Sequence, residues 1–594
     1  MEYLKNVIPS QLVAERGANL VVINPGSANI KVGLANQDAP FVIAHCIARR
    51  TTGANLPPRK NVVDQMLNSQ VTTAQHVERE RAYDTIASLM KIPSLNEEVS
   101  NSYSRKMARL DGSNLPTSKK EPTLTWADVF ETKSDSFLPT ETSLKNDISD
   151  FNKVAKHKET TYDGECKYKE FIFGEEALRI SPCEPYCLRR PIRRGHFNVS
   201  SYYPAQQVLE DLRAIWEWIL TAKLDIPSSQ RTLYSAILVV PETFDNRGTK
   251  IKELLSIVLG DLRLGVAVVL QEALATVFGN GLSTACVVNI GAQVTSVICV
   301  EDGVVLPATG ITLSFGGEDI SRCLLWTQRH HQTWPPIRTD AISKPIDMLM
   351  LNRLKESYCR IKEGEIDAVV VVHSYEEGMP AGVHKTRLTA LNVPPMGLFY
   401  PKLLVPEVYP PPPRTWFLDY EDMLEDTLGM EYARRPDGSD LYLGFSGGLP
   451  MWESYPVFSN KLLQKEESLG LAEAITKSIL STAGRIDLQR KLFCSIQLAG
   501  GTSLTSGIIA AMEDRVLHAI PPNEAIDTVE VLQSRNISSY VSWKGGVIFG
   551  LLDYSRDAWI HREDWIRGGL YIGSNRKYRD SYYIQAQPMC YMNS

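Results

Sequence analysis

Residues 21–40 read VVINPGSANIKVGLANQDAP. The apolar run before Asn24 predicts a strand, Pro25-Gly26-Ser27 a tight turn, and the residues from about Ile30 a second strand. A turn of this kind cradles a phosphate with backbone N–H groups and a following lysine, here Lys31. Two residues argue against a complete metal–phosphate site. Asn24 stands where metal handling calls for a carboxylate, and Pro25 has no N–H to offer. The stretch therefore poses a choice between a working nucleotide hairpin and one kept for its shape.

The 594 residues are enough for three or four domain-sized units of about 150 each. With 43% hydrophobic and 22% charged residues, the chain has the profile of a soluble protein with large cores. A net charge of −6 argues against a surface that binds nucleic acid throughout, and leaves room for a local basic patch. No apolar run approaches the ~18 residues of a membrane helix. The N-terminus, MEYLKNVIPSQLVAERG, lacks the order of a signal peptide. Ten scattered cysteines, several in apolar runs (Cys286, Cys299), read as buried thiols. Cys166, Cys183 and Cys187 with His196 have no CxxC spacing to support a zinc site.

Strand and turn signals fill 18–48. Residues 51–168 are polar and weakly periodic, an insertion with one helix expected at VERERAYDTIASLMKI. Patterned sequence resumes at 169–300. In AQQVLEDLRAIWEWILTAKL, Val208, Leu212, Ile215, Trp216 and Ile219 share one helical face. The runs YSAILVVP, VAVVLQ, TACVVNIG and SVICVEDG read as strands, so β and α elements alternate. Residues 310–363 read as mostly helical. A second interruption spans 366–469, where Pro410 to Pro413 favour an extended spacer or a proline-recognition ligand. Helix, strand, helix and strand follow to about 554.

Four glycine-centred segments lie far apart: NPGSANIKVG (24–33), NIGAQVTSV (289–297), LAGGTSLTSG (498–507) and WKGGVIFG (543–550). Two hairpins pinching phosphates, with a glycine turn leading into a helix, are how two α/β lobes grip one nucleotide. In order, spacing and wording the chain resembles actin and the actin-related proteins. IKVGLANQDAP, FGEEA, RPIRRG, VVNIGAQVTSV, FGGEDISRCL, RLKESYC, LAGGTSLTSGI and YVSWKGGVIFGLL carry the likeness, over about two thirds of the chain.

The resemblance implies an α/β, ribonuclease H-like fold of two lobes around a central nucleotide cleft, with two large insertions. Residues 1–50 and 169–309 would form the first lobe. Residues 310–365 and 470–594 would form the second, with a C-terminal return to the first, and 51–168 and 366–469 would be insertions. Nucleotide-binding positions carried over are Gly26, Ser27, Lys31, Gly291, Lys355, Glu356, Gly500 and Gly501. Metal-water carboxylates are replaced by Asn24 and Asn289, and a third loop acid by Ala292. An amide brings no charge to balance magnesium. The water-orienting glutamine falls at about Glu253 and a base-side lysine at Ser539. The expectation is no catalytic residue and no metal, with ATP or ADP as a structural ligand.

Within the family, PGSANIKVG together with RRPIRRG points to the nuclear chromatin-remodelling branch. That branch implies a scaffold bound to a helicase-SANT-associated helix of a remodeller ATPase, beside actin and other actin-related proteins. It also implies contact with histones or linker DNA, and residence in the nucleus with some in the cytoplasm. The alternative is an actin-superfamily ATPase with weak hydrolysis. Arg189, Arg190, Arg193 and Arg194 either meet DNA phosphates or an acidic partner, or pair with acids such as Glu175, Glu176 and Glu184; Pro191 is expected to keep them extended and exposed. Asp319 either faces the cleft or caps a helix. Trp559, Ile560 and Trp565 either form a groove for a partner helix or close the fold.

Overall fold

The computed structural model describes residues 10–51, 73–92, 127–128, 158–160, 166–180, 184–199, 203–244, 249–342, 344–375, 382–404, 469–482, 484–522, 524, 526–533, 538–552 and 559–568. The proline run at 410–413, Cys183 and most of the first insertion lie outside them.

Leu20–Pro25 forms the middle of a six-stranded sheet and is buried along its whole length. It pairs antiparallel with Asn29–Leu34 and parallel with Ser235–Val240, which in turn pairs parallel with Val266–Gln271. Its alternating side chains serve two cores. Val21 and Ile23 pack with the helix Ala205–Ala222, while Leu20 and Val22 join a core shared with the second lobe. Burial on both faces explains why the run is continuously apolar rather than alternating. All five residues expected on the buried face of helix 205–222 are there.

The second sheet repeats this plan. Ala285–Ile290 pairs antiparallel with Thr295–Glu301 and parallel with Ile496–Ala499. Each lobe thus places a hairpin turn at the carboxyl end of its central strand, the usual ligand edge of an open α/β sheet. This topology moves the lobe boundary. Residues 285–309, expected in the first lobe, belong to the second, because 285–290 bonds to 496–499 and carries its hairpin with it.

Two expected insertions also contribute to the fold. Thr73–Leu89 is helical, and Tyr83, Ile86 and Met90 enter the main core of the second lobe. Residues 368–404, placed within the second interruption, instead build a hairpin (Ala368–Ser374 with Gly382–Leu388) and a short helical tail. Val370, Val372 and Leu388 pack on Leu351 and Leu354 of the helix Pro345–Tyr358, so their apolar alternation buries one face.

The fourth glycine segment, WKGGVIFG, is helical. It lies inside the helix Val541–Leu551, which packs on Glu272–Gly279 between the two sheets. Its glycines allow backbone-to-backbone contact: a Cβ on Gly545 would sit 1.6 Å from the Ala275 carbonyl oxygen. Trp559, Ile560 and Trp565 close the first lobe. Ile560 extends the six-stranded sheet beside Ala267, Trp565 packs on the first-lobe core and Trp559 on the shared one.

Neither helix can move aside without opening both lobes. Gly545→Val should therefore cost about 3 kcal/mol or more, measured as a lowered denaturant midpoint with an unchanged slope.

Candidate nucleotide cleft between the lobes

The two hairpin turns close on themselves. The Gly26 amide donates to the Asn29 carbonyl at 3.1 Å and the Gly291 amide to Val294 at 2.9 Å. Those two N–H groups therefore shape the turns and are not offered to a ligand. The Gly26 carbonyl is held by His45 Nδ1 at 2.8 Å, and Trp216 Nε1 donates to the other ring nitrogen at 3.3 Å. Burial holds His45 down at about 4, so the ring is a neutral spacer.

Around the second hairpin the expected residues converge. The Gly291 carbonyl accepts from the Gly317 amide at 3.0 Å and from Thr502 Oγ1 at 3.0 Å. Lys355 Nζ donates to the Gly317 carbonyl at 2.9 Å. Gly500, at φ +90, comes so close that a Cβ would lie 2.3 Å from the Ile290 oxygen and 2.6 Å from Asn289 Oδ1. Space is open in front of Gly501, and Glu356 is exposed on its helix.

At the first hairpin, Asn24 is 3% exposed, and its Nδ2 donates to the Val239 carbonyl at 2.9 Å and to Glu272 Oε1 at 3.2 Å. Burial lowers the Lys31 pKa, and the charge of Glu272 partly offsets this. Glu242 completes the floor. Its Oε1 accepts from the Ala273 amide at 2.8 Å, and burial, then the charge of Glu272, raises it to about 7. The sequence reading placed a cleft side chain at Glu253. That residue lies on the helix Thr249–Leu255, and the carboxylates at the floor are Glu242 and Glu272. Both follow directly on parallel strands (VVPE, VVLQE), a position at which the strand-end rule would have marked them.

The lobes are joined by RRPIRRG, which turns inward. Ile192–Arg193 and His196–Phe197 form a small hairpin whose turn holds Arg194 at φ +47 and Gly195 at φ +74. The Gly195 amide donates to Ser27 Oγ at 3.3 Å, and the Arg194 amide to Gln293 Oε1 at 2.9 Å. The Arg194 guanidinium makes a two-pronged contact with Asp319, at 2.7 and 2.8 Å. Asp319 also caps its helix through the Gly316 amide at 2.9 Å, so both readings of that residue hold.

The arginines are not an exposed patch. Pro191 is buried, and Arg190 reaches Glu318 at 2.8 Å while Arg189 lies 3.9 Å from Asp211. Of the acids named from sequence, Glu175 binds Arg179 and Arg353. Burial pushes Glu318 up, but Arg190, Arg322 and Gln293 outweigh it and hold the carboxyl down at about 2.

The Actin family model matches residues 16–572. Actin-related protein 9 of Oryza sativa subsp. indica is 58% identical over the whole of both chains. The Arabidopsis thaliana protein of that name is 59% identical over 100% of this chain and 98% of its own. Actin-related protein 8 of Salmo salar is 27% identical over 93% of this chain and 90% of its own. Among solved structures, human actin-related protein 8 in its ATP-bound state matches with a TM-score of 0.65 at 24% identity, over 96% of this chain and 97% of that one. That likeness demonstrates the fold.

Two measurements probe the cleft. Arg194→Met leaves Asp319 buried without its cross-lobe partner and should cost about 3–5 kcal/mol in urea unfolding. Glu242 tests the floor through pH. Its folded pKa of about 7 lies above the usual 4.5, so the native state binds the extra proton and loses stability as pH rises between those values. Glu242→Gln removes this loss. The variant should gain on the parent from pH 5 to 7, by up to about 3 kcal/mol, with no further gain above.

Proposed function

This chain belongs to the actin family, and from that premise we propose that it is a non-catalytic scaffold subunit of a chromatin-remodelling assembly. In this reading it sits in the nucleus on a helicase-SANT-associated helix of the remodeller ATPase, beside actin and other actin-related proteins. Histones and linker DNA are within its reach. No described helix is long and apolar enough to cross a membrane.

The observation that carries the reading is the state of Asn24. Its amide is bonded to the backbone of a neighbouring strand and to Glu272, so the position serves the fold. A carboxylate there would lose both donations and face a second carboxylate. With Asn289 and Ala292 on the other hairpin, the two loops bring no negative charge to a magnesium ion. Nucleotide fits the remaining groups better than metal does. Lys31 supplies a half-buried amine, the close approach of Gly500 shapes the second turn, and Gly501 fronts open space. We assign ATP or ADP as a structural ligand held by Ser27, Lys31 and Gly501, with Gly26, Gly291 and Gly500 shaping the turns around it. When bound, it would supply charge and contacts that bridge the lobes. Lys355 and Glu356 belong to the same side of the cleft.

A second reading, an ATPase with weak hydrolysis, rests on one observation. Glu242, raised to about 7, is a carboxyl with the proton affinity of a general base. Turnover by purified protein separates the two. The scaffold reading expects ATP hydrolysis no faster than that of actin, and a faster rate assigns the chain to the second. The assembly is tested by affinity purification from nuclear extract. Recovery of a remodeller ATPase with actin or another actin-related protein supports it, and recovery of none overturns it. Asn24→Asp should destabilise the fold by about 1–3 kcal/mol, rather than restore metal binding.

A further inference from the structure

Adjoining the Arg194–Asp319 contact is a cavity of about 40 Å³ between the lobes. Arg189, Arg190, Arg193 and Tyr203 line it from the first lobe, and Glu318 and Arg322 from the second. Gln293 of the second hairpin also lines it, whereas the candidate nucleotide-binding residues Gly26, Ser27, Lys31, Gly291, Gly500 and Gly501 do not.

Its charge is unbalanced. Four guanidinium groups line the cavity and one carboxylate, Glu318, stands among them. Two more carboxylates reach these arginines from outside the lining. Asp211 lies 3.9 Å from Arg189, and Asp319 accepts from Arg322 at 2.9 Å. Both are shared, Asp211 with Arg49 and Asp319 with Arg194. Among the described residues, Arg49, Arg189, Arg190, Arg194 and Arg322 thus share three carboxylates. Nε of Arg322 and Nη1 of Arg189 are among the buried donors that find no acceptor among the described residues. The Arg322 side chain is 4% exposed. Surplus buried cations and unmade hydrogen bonds both carry a cost that an anion removes.

We propose that this interlobe cavity binds a small tetrahedral oxyanion of the phosphate class, gripped by Arg189 and Arg190 from one lobe and Arg322 from the other. Planar guanidinium forks match tetrahedral oxyanions in geometry as well as charge. The volume is a few times the ~10–15 Å³ that one water needs, which suits such a group and excludes a nucleoside. The anion acts as a brace, because its ligands come from both sides of the cleft. It arrives as free inorganic phosphate or as the terminal phosphoryl group of a larger molecule.

The test uses the full-length protein at constant ionic strength. Thermal unfolding is followed with sodium phosphate, with sodium chloride and with ATP, and inorganic phosphate binding is measured by calorimetry. Phosphate should raise the midpoint where chloride does not, and Arg189→Gln should weaken that response about tenfold. A rise with ATP alone that Arg189→Gln abolishes supports the site and names a carried phosphoryl group as its source. A rise with ATP alone that survives Arg189→Gln places the nucleotide at the hairpins and overturns the proposal. So does the absence of both a phosphate-specific shift and a binding heat in the parent protein. Should Arg189→Gln fail to fold, Arg322→Lys keeps the charge and removes the fork. An undiminished phosphate response in that variant likewise overturns the site.

Discussion

Asp319 gathers donors from both sides of the cleft. The Gly316 amide and Arg322 come from its own lobe, and both arms of Arg194 come from the other. A carboxylate buried to 1% exposure tolerates that position only because its lone pairs are filled. It also lies in the first turn of a 14-residue helix, Gly317–His330, where the backbone dipole favours negative charge. The Arg194 side chain reaches it because Arg194 and Gly195 both adopt positive φ. Gly195 has no alternative there, since a Cβ would meet Thr243 Oγ1 at 2.3 Å. One turn of backbone thus sets this charge link, which stands beside the Arg190–Glu318 pair.

The same turn connects the two hairpins. Gly195 meets Ser27 on one and Arg194 meets Gln293 on the other. In each lobe the hairpin springs from a central strand with an antiparallel neighbour on one side and a parallel one on the other. Equivalent turns therefore face each other, sharing only the Asn-x-Gly start and a valine. The helices 272–279 and 541–551 lie between the sheets and fix their separation through glycine contacts. Shape at the cleft follows from this packing, and so persists whatever charge the loops carry.

Most of the core was legible in the sequence, because period and burial coincide. Val208 through Ile219 read as one helical face, and the apolar run before Asn24 as a strand. The hairpin 24–33 and its partner at 289–297 were legible for the same reason, with glycine marking each turn. Less visible was which lobe a strand joins. The strand 285–290 is local in sequence to the first lobe but bonds to 496–499, some two hundred residues on, and no periodicity encodes a parallel partner. The arginines misled because RRPIRR looks like solvated charge. Their partners are distant in sequence: Asp211 comes from the helix 205–222 of the same lobe, and Glu318 and Asp319 become neighbours only when the lobes meet. Helix 73–89 has a weak apolar period, so its docking on the second lobe depends on a few residues such as Tyr83 and Ile86.

The acids at the cleft have moved rather than disappeared. In place of carboxylates on the hairpin strands, Glu272 and Glu242 stand at the ends of the neighbouring parallel strands. Glu272 bonds Asn24 and offsets the desolvation of Lys31. Glu242, with its pKa raised by burial and by Glu272, is substantially protonated at neutral pH. The floor thus holds one lysine, one carboxylate and one carboxyl that is part neutral, a nearly balanced set. Adding a carboxylate at position 24 would tip it towards repulsion, and the nearest relief would be further protonation of Glu242. On the other hairpin the Asn289 side chain lies in the space that a Cβ on Gly500 would enter. Both amides are therefore parts of the packed structure. A cleft built this way joins its lobes through the Arg194–Asp319 and Arg190–Glu318 pairs and places no acid on either hairpin turn.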